Sequence, residues 1–147
     1  MIKDKKKLAT VLILLTLAFI WGNSLRTGEA SQETSTGILD CINYFLNLGE
    51  AEAAIAHHLI RKAAHFTEFA CLGALLVWRA HLNEEKPPIA LPVLLGMAAG
   101  LVDESIQLFT PDRGPSLTDV WLDTSGVLAG VLLLLLGQHL KKKKQNH

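Results

Sequence analysis

Residues 61–69 read Arg61-Lys62-Ala63-Ala64-His65-Phe66-Thr67-Glu68-Phe69, a charged stretch opening a segment otherwise apolar enough to cross a membrane. At about 100° per residue, Arg61, His65, Glu68 and Leu72 fall within about 60° of one another on a helix. A rise of about 1.5 Å per residue puts Glu68 roughly 10 Å along the axis from Arg61. Lipid rejects such a face, because an unpaired charge in hydrocarbon costs several kcal/mol. It must look inward, at partners on other segments. Two later stretches offer them: Asp103-Glu104-Ser105-Ile106-Gln107 and Asp119-Val120-Trp121-Leu122-Asp123.

Half of the 147 residues are hydrophobic and they gather in long Leu-rich runs, which points to one integral membrane domain over residues 1–147. The zero net charge conceals an arrangement. Eight of the fourteen Lys and Arg lie in two tails, Lys3, Lys5, Lys6 and Lys7 at one end and Lys141 to Lys144 at the other. Beside apolar spans such tails read as cytoplasmic anchors at a lipid surface, and no nucleic-acid partner is expected. Cys41 and Cys71 form no disulfide framework.

Four spans are expected, at about residues 8–25, 60–80, 89–109 and 117–137, giving an all-α four-helix membrane bundle. The first run carries the lysines and short apolar core of a secretory signal peptide. Phe19 and Trp21 resemble an aromatic belt instead, and a retained anchor is the preferred reading. In the first outer loop, Ile38, Leu39, Cys41, Ile42, Phe45 and Leu46 recur at helical spacing, opposite Asp40, Asn43 and Asn47. That pattern predicts a short helix stopped by Gly49, either interfacial or capping the bundle. Ser116 and Asp119 have capping-box-like spacing at the start of the last span.

With both lysine tails cytoplasmic, the positive-inside rule places residues 26–60 on the outer side of the membrane. The start of span two, the end of span three and the start of span four then meet in the outer leaflet. Asp103 and Gln107 are four apart on one face, and Asp119, Asp123, Gly126 and Gly130 share another. The glycine pairs 126/130 and 96/100 have the spacing that lets helices approach closely.

The expected polar cluster holds Glu68, Asp103, Glu104, Asp119 and Asp123 against Arg61, Lys62, His65 and Arg113, with Gln107 beside them. A structural ion-pair network is one reading. Glu68, Asp103 and Asp123 lie about a turn or more inside their spans, where ionisable groups mark function. A lone His among scattered acids is weak metal evidence, so no metal and no cofactor are assigned. No activated nucleophile or phosphate loop is visible.

The ordered set Arg61-Lys62-x-x-His65-Phe66-x-Glu68-Phe69, Asp103-Glu104-x-x-Gln107-x-Phe109, Pro111-x-Arg113 and Asp119-x-x-x-Asp123-x-x-Gly126 resembles the VanZ family, as does Asn23-Ser24 after the first span. The chain departs from it at Phe69, where relatives often carry Tyr, and at Asp123, where many carry Asn. The resemblance implies a small multi-span bacterial membrane protein; the family's name-giving member is associated with low-level teicoplanin resistance without altered peptidoglycan precursors. It brings no established catalytic residues.

Three functions follow as candidates. One is an envelope protein that binds a lipid-linked or glycopeptide ligand at the cluster and lessens the effect of teicoplanin-like drugs. Another is a membrane enzyme acting on a lipid or envelope precursor, with Glu68, Asp103 or Asp123 as acid or base. The third is a structural partner of another envelope protein. On this topology an impermeant thiol reagent applied to intact cells labels Cys41 but not a cysteine engineered into either lysine tail; the reverse pattern overturns it.

Overall fold

The computed structural model describes residues 2–26, 36–37, 39–41, 49–83, 88–111, 113–114 and 116–145. Four long helices carry the fold: α1 (Ile2–Ser24), α2 (Glu50–His81), α3 (Ala90–Gln107) and α4 (Leu117–Gln145). No strand occurs among the described residues. The amphipathic stretch 38–47 lies largely outside them, although residues 39–41 are helical. Gly49 is the N-cap of α2: its N–H donates to Glu52 Oε2 at 3.0 Å, so the acid three residues on satisfies a free amide. Pro92 is buried in the opening turns of α3, where its missing N–H costs no intrahelical bond. The expected Ser116–Asp119 cap is replaced. The Ser116 hydroxyl pairs with Thr118 at 2.6 Å and its N–H donates to Glu104 Oε2 on α3 at 2.7 Å.

Contacts between helices give their directions. Thr10 of α1 meets Arg79 of α2, and Asn23 meets Glu68, so those two helices are antiparallel. Trp21 donates to the Ala99 carbonyl and Ser24 to Asp103, so α1 and α3 are parallel. On α2 and α4, Lys62 meets Asp119, His65 meets Asp123 and Phe66 meets Gly126, a nearly constant offset that only parallel helices can hold. The bundle therefore alternates in direction. The end of α1, the first half of α2, the end of α3 and the start of α4 meet at one level. Lys3 to Lys7, Arg79 and Lys141 to Lys144 lie toward the other.

The most extensive interface is α2 on α4, and glycines make it close. A Cβ at Gly126 would stand 2.5 Å from the Phe66 carbonyl oxygen; Gly130 lies likewise against the Ala70 carbonyl, and Gly73 against Val127. Gly96 of α3 accommodates the Val127 side chain. With no hydrophobic driving force between helices in lipid, this van der Waals contact holds them together.

The surface is the inverse of a water-soluble protein's. Leu14, Leu15, Leu94, Leu132 and Leu133 face outward, while Ser24, Asp103 and Asp123 are fully buried. Helices α1, α3 and α4 are each long and apolar enough to cross a membrane. Arg61, Lys62, Glu68 and Arg79 lower the apolarity of α2, which packs against all three. Below the polar level Ile20, Phe69, Leu72, Val77, Ala99, Val127 and Val131 form an apolar core.

The glycine contact is testable. Gly126→Ala must push α2 from α4 and should cost about 1–3 kcal/mol, read as a lower thermal midpoint in detergent. Gly137 has nothing within 4 Å of an added Cβ, so Gly137→Ala should stay within about 0.5 kcal/mol of the parent. Equal midpoints would show that the crossing is not tight.

Candidate functional site

Where the four helices meet, Asp103 of α3 is completely enclosed and well partnered. Ser24 at the end of α1 donates its hydroxyl to Oδ1 at 2.6 Å, and Gln107, one turn on, donates to Oδ2 at 2.9 Å. The Gln107 amide also reaches the Ser24 hydroxyl at 3.4 Å. Thr110 closes the set, its hydroxyl lying 3.0 Å from both the Ser24 and the Ile106 carbonyl oxygens.

Asp123 of α4 is equally buried but is treated differently. Neither carboxylate oxygen has a hydrogen-bond partner among the described residues. It faces His65 of α2, whose Nδ1 lies 3.9 Å from Asp123 Oδ1 and 4.0 Å from Asp103 Oδ2. The imidazole thus stands between two carboxylates, bonded closely to neither. The α2–α4 crossing explains the placement: Phe66 rests on Gly126, so the preceding residue, His65, arrives beside Asp123 one turn up α4.

The other expected residues surround this centre. Glu68 is half-buried and accepts a 3.2 Å bond from the Asn23 amide, turned toward α1. It borders a groove of about 390 Å³ between α1 and α2, lined also by Leu12, Leu15, Phe19 and Cys71. Glu104 Oε2 is taken by the Ser116 amide while Oε1 is buried without a partner. Glu104 borders a second groove of about 320 Å³ between α3 and α4, with Leu101, Leu108 and Val120. Lys62 neutralises Asp119 at 3.3 Å, which accounts for an Asp119 oxygen that accepts no directed hydrogen bond.

Arg61 is half-buried one turn before His65 and forms no ion pair among the described residues. Arg113, half-buried in the link after α3, has a buried Nε without a hydrogen-bond partner. Burial, followed by the charge of Arg61, pushes its guanidinium below the ordinary range. The structure therefore brings together His65, Asp103, Gln107 and Asp123, with Glu68, Glu104, Lys62 and Asp119 around them. It leaves Arg61 outside the pairing.

Three contributors escaped the spacing argument: Asn23, Ser24 and Thr110. Each is small and sits where an apolar helix ends, so helical periodicity carries no mark of it. Asn23 and Ser24 were signalled by their place directly after a long apolar run and by the family resemblance; Thr110 carried no signal. The bond from Ser24 predicts a stability effect. Ser24→Ala leaves Asp103 Oδ1 enclosed without that donor and should cost about 1–3 kcal/mol in thermal unfolding. Thr67→Ala removes only an exposed bond to its own helix, the Ala63 carbonyl, and should cost no more than about 0.5 kcal/mol. Equal losses would remove Ser24 from the cluster.

No curated protein and no solved structure matches the chain significantly. The VanZ/LLP1 family model matches residues 9–138, most of the chain and every residue of the cluster. The chain belongs to the VanZ/LLP1 family of membrane proteins.

Proposed function

We propose that this protein binds the polar head of an amphiphilic envelope ligand at the cluster, with the apolar tail lying in the groove between α1 and α2. The observation that carries the reading is the position of Glu68. A carboxylate with one neutral donor, Asn23, borders a mostly apolar groove walled by Leu12, Leu15, Phe19 and Cys71, with Thr16 and Thr67 beside them. An acidic group beside an apolar channel suits a ligand with a cationic or hydrogen-bond-donating head and an acyl chain. Glycopeptides of the teicoplanin type carry such a chain, which places them at the outer surface of the membrane. Sequestering the drug, or the lipid-linked precursor it recognises, lowers susceptibility.

The reading includes a topology in which α1 to α4 all cross the bacterial cytoplasmic membrane. Both termini are cytoplasmic and the cluster lies in the outer leaflet. The supporting feature is the segregation of Lys3 to Lys7, Arg79 and Lys141 to Lys144 toward the end opposite the cluster. In this arrangement the charged face of α2 meets other helices, and its apolar remainder meets lipid.

Expression in a susceptible host should raise the inhibitory concentration of teicoplanin several-fold. A glycopeptide without an acyl tail should be little affected. Glu68→Gln should fold, because Gln offers Asn23 the same carbonyl acceptor, yet abolish the protection. Thermal stability in detergent measured beside drug susceptibility separates the outcomes. Unchanged susceptibility on expressing the parent overturns the drug reading, and a folded, fully protective Glu68→Gln removes Glu68 from the site.

A further inference from the structure

We propose that His65, Asp103 and Asp123 form a binding site for one divalent cation of the zinc or manganese class. One donor atom from each residue lies within 4.8 Å of the others, and each residue comes from a different helix. The two sides from His65 Nδ1 are 3.9 and 4.0 Å, and the side between the two carboxylates is no longer than 4.8 Å. A tetrahedral ion with bonds of about 2.0–2.1 Å holds its donors about 3.4 Å apart, so the His65 sides must shorten by about 0.5 Å and the carboxylate–carboxylate side by up to about 1.4 Å.

Asp123 supplies the independent argument. It is fully enclosed, both its oxygens lack hydrogen-bond partners, and Oδ1 faces the imidazole. Ionising two enclosed carboxylates would place two negative charges in a low-dielectric interior, where uncompensated charge is strongly disfavoured. One divalent ion cancels both. The basic side chains nearby do not take that role: Lys62 is engaged by Asp119, and neither Arg61 nor Arg113 forms an ion pair with Asp103 or Asp123 among the described residues.

The donor set selects the ion. Imidazole suits zinc and the later transition metals, carboxylates suit manganese and harder ions, and one nitrogen with two oxygens lies between. Calcium and magnesium favour all-oxygen shells with more ligands. Ser24 and Gln107 supply the support that metal-bound carboxylates require, because they hold both Asp103 oxygens in place before an ion arrives. Three protein ligands leave further coordination positions for a water molecule or a polar head group. In that respect the inference rests on the binding reading above and gives it a chemical centre.

Metal content decides it. Tag-free protein purified in detergent, equilibrated with Zn²⁺ or Mn²⁺ and passed through gel filtration, should retain about one ion per chain. The double variant His65→Gln/Asp123→Asn should retain none, and Ser24→Ala should bind roughly tenfold more weakly. Chelation of the parent should lower its thermal midpoint, and Zn²⁺ or Mn²⁺, but not Mg²⁺, should restore it. This second measurement holds if the double variant fails to fold. A parent that retains no ion, or whose midpoint ignores chelator and metal alike, overturns the site. So does a folded double variant that binds as much as the parent, since the ion then sits on exposed imidazoles such as His58 and His139. Protein that protects cells without metal refutes this inference alone. Metal-loaded protein without effect on susceptibility refutes the drug reading alone.

Discussion

Backbone contact between α2 and α4 is the constraint from which the rest of the structure follows. Phe66 on Gly126 and Ala70 on Gly130 fix the register of two parallel helices by direct van der Waals contact. A side chain at either glycine would force the axes apart. In a membrane this matters more than in water, because lipid tails compete equally well for any loosely fitted apolar surface. Once the register is set, the residues one turn earlier have no freedom. His65 comes to Asp123 and Lys62 to Asp119. The same glycine-lined seam that stabilises the bundle therefore positions its least satisfied polar group.

The remaining helices complete the cluster in unequal ways. α3 contributes Asp103 and Gln107 from one face, four residues apart, and leans on α4 through Gly96. α1 contributes least charge and most closure. Its Trp21 indole bonds the Ala99 carbonyl, its Ser24 hydroxyl bonds Asp103, and its Asn23 amide bonds Glu68. A helix that resembled a signal peptide by composition supplies a hydrogen-bond donor to each of two acids. Removing it would strip those donors from Asp103 and Glu68.

How much of this was legible follows from the type of pattern each feature leaves. Alternating helix direction requires only short links and four apolar runs, so the meeting of His65, Asp103 and Asp123 at one level could be read from parity alone. The close glycines could be read too, since spacing of four on the face that carries Asp119 and Asp123 leaves few other roles. Arg61 shares the helical face of α2 that carries His65 and Glu68 but forms no ion pair among the described residues; spacing gives direction around the axis and says nothing about reach. The Ser116 cap failed for a related reason. Local spacing suggested a bond within α4, whereas Glu104 from α3 competes for the Ser116 amide at 2.7 Å. Asn23 and Ser24 were legible as polar residues at a helix end and as part of the family resemblance, but their bonds were not, because the partners lie 45 and 79 positions away.

The contrast between Asp103 and Asp123 bears on whether the cluster is only a structural clasp. A clasp is strongest when every member is satisfied, since a buried oxygen without a partner forfeits the hydrogen bonds it had in water. Asp103 meets that standard with two donors, and Asp119 is neutralised by Lys62. Asp123 does not, although Thr124 beside it spends its hydroxyl on its own helix, at the Val120 carbonyl. A chain able to supply Ser24 and Gln107 to one acid leaves its equally buried neighbour beside an imidazole at 3.9 Å with no hydrogen bond among the described residues. Asparagine in its place would offer its own donor amide toward His65 and Asp103 and lower the charge without changing the volume. The enclosed and unsatisfied carboxyl of Asp123 is what separates this cluster from a joint in which every member is paired.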